Sequence, residues 1–368
     1  MSQPLSHDDV LKHADRIATE IVAPAAARID KSGEFPAAAI AALGEAGLLG
    51  FLEMRTAAAL VERLARECGS TAMIVCMHHC AAAVIAQHGP AAVKQEIAAG
   101  RHLSTLAFSE LGSRGQFWAP VGTATRAGAQ VRLDAKKSFV TAAHAAHSYV
   151  WSSKPLSGAE VSTLWLVARG TAGVKPGDGF DGLGLRGNDS SPVTADGALV
   201  DERAILGADG AGFGIMMGTV LPWFNVLASS VSVGLMETAT ARTAAHAGAA
   251  RFEHAGSTVA DLPTVRAFVA RMRIKTDCAR ALLDDTLAAI GAGRADATLR
   301  VLESKAATGE LAAEVADLAM RVCGGAAFRK DVGVERVFRD ARASLVMAPT
   351  TDVLYDFIGK AVCGLPLF

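Results

Sequence analysis

Aromatic side chains are scarce in this chain of 368 residues: they make up 5% of it, with only 2 Tyr and 4 Trp. A core with so few large rings must close around small side chains, which favours closely packed helices. The formal net charge is only −1, which removes the general electrostatic argument for binding nucleic acid. No uninterrupted apolar run reaches about 18 residues, so we expect no membrane-spanning helix. Met1–Asp9 is polar and has no apolar signal stretch, which favours a cytoplasmic protein.

Cysteine pairs of the Cys-x-x-Cys type are also missing, although the chain has 6 cysteines. Scattered cysteines in apolar helical surroundings are typical of buried, reduced thiols. Cys76, His79 and Cys80 are spaced to share one helical face. A fourth ligand is not evident and the flanking residues are apolar, so we expect no metal site.

Alanine and glycine are abundant, and their distribution divides the chain into three sections. Residues 1–103 have helical periodicity and predict an amino-terminal helical domain. Residues 104–208 have short β-type runs between turn clusters, which predict an antiparallel, barrel-like β domain. Residues 209–368 return to long helices and predict a four-helix bundle. The expected fold is therefore mainly α with a central β domain. Within the first section, Pro24 predicts a kink or break.

Four short segments have compositions that packing alone does not explain. They are a Gly/Ser loop after a strand, a strand with a hydroxyl and an aromatic residue on one side, a Gly-Gly break after a long helix, and an Arg-Asp pair followed by a polar loop. Their positions are residues 107–115, 136–143, 321–328 and 337–352. Glycine-rich loops let backbone N–H groups approach a ligand.

Taken in order, these segments resemble the acyl-CoA dehydrogenase superfamily over nearly the whole chain. The family's Thr/Ser-Glu-Pro-Gly-Ala-Gly-Ser loop is matched loosely by residues 109–115, and its Lys-x-Phe/Trp-Ile-Thr strand by residues 137–143. Its Gly-x-Arg-Gly motif is matched by residues 184–189, followed by the Leu-Gly turn at 206–207. Its Gly-Gly turn and Arg-Asp-Ala helix are matched by residues 324–328 and 339–341.

The resemblance implies FAD as the cofactor, with hydride transfer to flavin N5. By position it places Phe108 and Ser109 at the pyrimidine side of the flavin, and Phe139 and Thr141 near N5 and O4. It implies further FAD contacts that in the family are partly made across a subunit interface, from Arg251, Gly324, Gly325, Thr350 and Thr351. Such shared sites imply a homodimer or homotetramer, and an electron-transfer flavoprotein is a candidate partner.

The residue expected to remove the substrate's α proton departs from the family pattern. Its usual Glu falls on Ala348, and an alternative position on the following long helix falls on Phe224, where neither residue is a base. The remaining carboxylates are Glu110 and Asp352, both weak candidates, so the catalytic residue stays unassigned. The resemblance implies an acyl pocket lined by Ser113, Trp223, Phe224, Asn225, Met347 and Ala348.

A second departure follows Leu52, where the family has a Pro/Gly-rich loop and this chain continues directly into Glu53. Either that loop is deleted or residues are missing from this point of the chain.

Three functions are compatible with these observations. The first is an FAD-dependent oxidoreductase acting on an acyl thioester or a related small acyl substrate, with a relocated or absent base. The second is a flavin-dependent monooxygenase or desulfinase-like protein of the same fold, which needs no α-proton base. The third is a non-catalytic flavoprotein scaffold.

Overall fold

The computed structural model describes residues 5–367; Met1–Pro4, part of the polar amino-terminal stretch, and Phe368 lie outside the described residues. The amino-terminal section is helical from His7 to Ala98. Its helices are α1 (His7–Ile17), α2 (Ala23–Ser32), α3 (Ala37–Glu45), α4 (Met54–Glu67), α5 (Gly69–His88) and α6 (Ala91–Ala98).

The helical path does not break at Pro24, contrary to the expectation from the sequence. A π-helical turn, Ala18–Val22, joins α1 to α2, and Pro24 lies in the first turn of α2. Proline is tolerated there because the first turn of a helix needs no backbone N–H donor.

Two separate four-stranded sheets form the middle section. The first has the order β1 (Ser104–Ala107), β4 (Ser148–Ser153), β5 (Thr163–Ala168) and β8 (Ile205–Leu206). The second has the order β2 (Thr123–Ala127), β3 (Gln130–Val140), β7 (Ser191–Asp201) and β6 (Val174–Pro176). The sheets do not close into a barrel. The antiparallel expectation is wrong for β1 and β4, which pair in parallel, because β2 and β3 between them in sequence belong to the other sheet.

The carboxy-terminal section is helical again, as predicted. Its elements are α7 (Gly212–Ile215), a π-helical turn (Met216–Val220), α8 (Leu221–Ala249), the short strands β9 (Arg251–Phe252) and β10 (Ser257–Thr258), α9 (Pro263–Gly291), α10 (Ala297–Cys323), α11 (Val334–Ala341), α12 (Ala343–Val346) and α13 (Thr351–Val362). Small residues allow the long helices to approach closely: a Cβ at Gly234 of α8 would lie 2.5 Å from the carbonyl oxygen of Glu62 in α4.

Two helical stretches, Gly69–His88 and Gly212–Ala249, are long and apolar enough to cross a membrane by length and composition alone. In the fold, 89% and 83% of their most apolar windows are buried inside the protein. Packing in the core therefore accounts for their hydropathy.

Candidate active site

A buried ion pair anchors the loop that follows β1. The carboxylate of Glu110 accepts hydrogen bonds from the Lys137 ammonium at 2.6 Å and from the backbone N–H groups of Val121 and Gly122 at 2.7 and 2.9 Å. Lys137 also donates to the carbonyl and hydroxyl oxygens of Ser152. Burial lowers the pKa of Lys137 to about 8, against the opposing effect of Glu110. Both carboxylate oxygens of Glu110 are thus engaged, which favours a structural role over that of a base.

The strand segment predicted to face the flavin is strained, and it exposes the ring of Phe139. Phe139 has a φ of 52° and Ala142 a φ of 53°, a left-handed conformation that costs energy for residues other than glycine. Phe139 is 67% exposed, and its ring stacks on Phe180 at a centroid distance of 4.6 Å. Thr141 is buried, with its hydroxyl 3.4 Å from that of Ser190. A β-bulge between Lys137 and Val140 produces this geometry.

The Gly-x-Arg-Gly motif and the Arg-Asp helix meet in space. The N–H of Leu185 donates to the Asp340 carboxylate at 2.6 Å, and a Cβ at Gly184 would lie 2.5 Å from the carbonyl of Arg339. Burial raises the pKa of Asp340 to about 6. Arg339 instead pairs with Asp30 at 2.6 Å. Adjacent Arg339 and Asp340 therefore bind different groups.

A buried lysine fixes the segment that carries Ala348, and the sequence analysis did not single out this residue. The buried ammonium of Lys305, on α10, donates to the carbonyl oxygens of Ser344, Met347 and Pro349 at 3.2, 3.1 and 2.8 Å. Burial lowers its pKa to about 7. The sequence signal that could have found Lys305 is that it is the one lysine of α10. Because all three protons of the ammonium are donated to carbonyls, Lys305 positions the loop.

Only some of the residues predicted to line the acyl pocket lie around Ala348. The ring of Phe224 lies 5.9 Å from Lys305 Nζ, and Met347 and Ala348 are half-buried. Asn225 is buried, and its amide donates to the Val301 carbonyl on α10 at 3.2 Å. Within residues 5–367 the backbone N–H of Ala348 makes no hydrogen bond, which leaves a donor for an acyl oxygen.

Three further predicted residues lie at the edges of this region. Trp223 is half-buried and lines a separate cavity against α5. Ser113 is half-buried in the first loop. Asp352 is exposed in the first turn of α13, and its surface position gives no support to its candidacy as the base.

The remaining predicted cofactor residues fall into two groups. Phe108 is buried and its ring stacks on Phe117 at 6.4 Å. A Cβ at Gly115 would lie 3.9 Å from the methyl group of Thr350, so the first loop and the start of α13 come together. In the second group, Arg251, Gly324 and Gly325 are exposed. Apart from its chain neighbours, a Cβ at either glycine would meet no atom of residues 5–367 within 4 Å.

These features fit a bound FAD. Thr351 carries a buried hydroxyl without a partner among residues 5–367, at the amino terminus of the 12-residue helix α13. Unpaired N–H and O–H donors at a helix amino terminus suit a phosphate group. The exposed ring of Phe139 and the hydroxyl of Thr141 suit the flavin ring. The donor set is therefore appropriate to both halves of a flavin nucleotide.

Comparison with known proteins bears on the whole chain. A family model described as the acyl-CoA dehydrogenase N-terminal domain matches residues 5–100, and one described as the C-terminal domain matches residues 210–363. Cyclohex-1-ene-1-carbonyl-CoA dehydrogenase of Geobacter metallireducens is 27% identical over 364 residues, covering 94% of this chain and 95% of the relative.

Two solved structures share the fold. Butyryl-CoA dehydrogenase from Megasphaera elsdenii has a TM-score of 0.91 at 21% identity, covering 99% of this chain and 100% of that chain. A structure of PigA with FAD and proline has a TM-score of 0.89 at 20% identity, covering 99% of each chain.

Proposed function

The chain belongs to the acyl-CoA dehydrogenase superfamily, and we propose that it is an FAD-dependent oxidoreductase acting on an acyl thioester or a related small acyl substrate. Bound FAD supplies the acceptor for the two electrons that leave the substrate. Supporting this is the strained segment Phe139–Ala142, with positive φ at both ends, which combines the exposed ring of Phe139 with the buried Thr141. In the proposed site, Phe139 and Thr141 contact the flavin ring.

The loop at Ala348 lies on the other side of the proposed site. It has no carboxylate at this position, but it still orients the substrate. Lys305 fixes the carbonyls of Met347 and Pro349, and this leaves the Ala348 N–H as a donor to the acyl oxygen. A donor at that oxygen stabilises the negative charge that develops when an α proton leaves. Aromatic Phe224 excludes water from the same space. The proton is then taken by a basic group of the substrate or by a relocated base, since neither Ala348 nor Phe224 accepts it.

The experiment that tests this proposal is an anaerobic titration of the FAD-loaded protein with acyl-CoA esters of different length and branching. We expect loss of flavin absorbance with at least one ester. A protein that takes up FAD but is not reduced by any member of the panel contradicts the dehydrogenase proposal. A purified protein that is colourless and takes up no FAD supports the scaffold function instead.

The second candidate function is a flavin-dependent monooxygenase or desulfinase-like activity. Its support is the lack of a free base: the two family base positions carry Ala348 and Phe224, and the carboxylate of Glu110, in the loop after β1, is engaged by Lys137. Stopped-flow mixing of the reduced protein with oxygen separates the cases. A C4a-hydroperoxide absorbance band favours the monooxygenase, and rapid reoxidation without it favours the dehydrogenase.

We further propose a cytoplasmic homodimer or homotetramer in which a neighbouring subunit completes the cofactor site, with an electron-transfer flavoprotein as a possible acceptor. The open surroundings of Gly324 and Gly325 support this, because the part of the chain that the structure describes leaves the space beside both glycines unfilled. Light scattering with and without FAD measures the state; a monomer with full FAD affinity contradicts it.

A further inference from the structure

The ring of Phe139 points outward because of the bulge near the end of β3. Lys137 pairs with Val193 and Val140 pairs with Ser191, so three steps along β3 are matched by two along β7. The extra residue breaks the alternation of side chains that a regular strand imposes. Lys137 and Val140 are therefore both buried, while Phe139 between them is 67% exposed.

A second aromatic ring covers one face of Phe139. Phe180 lies on the connection between β6 and β7, and its ring stacks on that of Phe139 with 4.6 Å between the centroids and 25° between the planes. Stacked rings at this distance attract each other. Since 67% of Phe139 is exposed, the face of its ring that is turned away from Phe180 is open.

The backbone fixes Phe180 to the start of β7. The N–H of Phe180 donates to the Ser190 carbonyl at 3.2 Å, and the N–H of Gly177 donates to the Pro192 carbonyl at 2.8 Å. Strand β7 is hydrogen-bonded to β3 along most of its length. The two rings are therefore carried by neighbouring strands of one sheet, and Phe180 is held at a defined place beside the end of β3.

Packing within the protein does not account for this aromatic pair. Phe180 is itself 42% exposed, and neither ring belongs to the hydrophobic core formed by residues 5–367. Contiguous exposed apolar area marks a binding site more often than an isolated apolar side chain does. The open face of Phe139 thus points to a flat apolar ligand.

We propose that Phe180 is a positioning residue for the cofactor, which holds the Phe139 ring in the one rotamer whose open face contacts the flavin ring. This inference rests on the proposed function, which places Phe139 against the flavin. With FAD bound, Phe139 is the middle of three aromatic layers and Phe180 is the outer one. Phe180 therefore acts on FAD binding through Phe139.

The size of the effect follows from the number of rotamers. Without a stacking partner, the Phe139 side chain distributes over as many as three staggered positions about its first torsion angle. The apparent dissociation constant of FAD rises as the fraction of protein in the competent rotamer falls, so we expect Phe180→Ala to weaken FAD binding about threefold. Phe139→Ala, which removes the contact itself, should weaken it about tenfold.

A double-mutant cycle separates this role from a general structural one. Isothermal titration calorimetry of the full-length apoprotein with FAD measures each dissociation constant. Because Phe180 acts through Phe139, adding Phe180→Ala to the Phe139→Ala variant should change the dissociation constant by less than about 1.5-fold. Phe180→Tyr, which keeps the stacked ring, should bind FAD as the unmodified protein does. Leu199→Ala, which removes another exposed apolar side chain from β7, is the matched control and should also bind FAD unchanged.

The results that overturn the inference differ in what else they overturn. If Phe180→Ala weakens FAD binding equally with and without Phe139, or in neither case, the positioning role is wrong and the proposed function stands. If Phe139→Ala binds FAD as tightly as the unmodified protein, Phe139 is not at the flavin and the inference falls with that placement. A protein that takes up no FAD overturns the proposed function and this inference together.

Discussion

The sheet side and the helical side of the candidate site are held together by different interactions. On the sheet side, backbone geometry is fixed by buried polar contacts: Glu110 with Lys137 and Leu185 with Asp340. On the helical side, an aromatic residue, Phe224, faces a lysine that binds only backbone carbonyls.

This difference assigns cofactor binding to the sheet side and proton transfer to the helical side. The sheet side depends on strained backbone and a buried ion pair, so substitutions there cost much folding stability. Residues that only face the substrate are exchanged at smaller cost, and new chemistry on an old fold arises there. We therefore expect FAD binding to follow the family pattern and the reaction to depart from it.

The largest expected effect comes from restoring a carboxylate on the helical side. We expect Ala348→Glu combined with Pro349→Gly to accelerate flavin reduction by butyryl-CoA about 100- to 10,000-fold, the usual contribution of a positioned base. Anaerobic stopped-flow absorbance measures this rate. Ala348→Gln with the same glycine is the matched control, and equal rates for the two variants mean that a carboxylate is not what the helical side lacks.

Next in size is the loss of the ion pair on the sheet side. Lys137→Met leaves Glu110 buried without its counter-ion, which should lower the free energy of unfolding by about 3–5 kcal/mol. Urea denaturation measures the change. Lys136→Met, at the exposed neighbouring position, should change it by less than about 0.5 kcal/mol. Similar losses in both variants contradict a special role for the pair.

Acid should lower the free energy of unfolding, because the buried imidazole of His79 resists protonation in the fold. The pKa of His79 is lowered to about 3, and that of half-buried His102 to about 4 by burial and nearby His147. Below the ordinary value of about 6.5 the unfolded chain takes up protons that the folded chain refuses, so stability falls as pH falls. For His79 the slope approaches about 1.4 kcal/mol per pH unit between pH 6.5 and 3.

Urea denaturation at pH 7.5, 6.5 and 5.5 measures that slope. His79→Phe should make the decline between pH 6.5 and 5.5 shallower, since one titrating group is removed. An unchanged slope in this variant means that His79 is not held neutral in the fold.

The smallest expected effect is that of a single hydroxyl on the sheet side. Thr141→Ala should weaken FAD binding about three- to tenfold, the contribution of one hydrogen bond. Fluorescence titration of the apoprotein with FAD measures this. Thr125→Ala, on exposed strand β2, is the control, and equal affinities in the two variants remove Thr141 from the flavin site.

How far the sequence predicts the molecule depends on whether a property is local. The return to long helices after residue 208 was predicted, because helical periodicity is a property of residues that lie close together in sequence. The parallel pairing of β1 with β4 was not predicted, because a strand's own residues do not specify its partner. The contacts of Lys305 and His79 were not predicted either. Each has polar as well as apolar neighbours on its helix. Only three-dimensional contacts distinguish His78 Nε2, which lies 2.8 Å from the Leu49 carbonyl, from His79 Nε2, which has no hydrogen-bond partner among residues 5–367.

The π-helical turn at Met216–Val220 has a consequence for how this site can vary. Each residue added to an α-helix rotates everything beyond it by about 100°. A wide turn takes up such an extra residue locally. Trp223, Phe224 and Gly234 all follow this turn on α8, so the two aromatic residues keep their orientation relative to the contact of Gly234 with α4. A change in chain length before the turn can therefore rotate α7 and still leave the substrate wall and the bundle in register with each other.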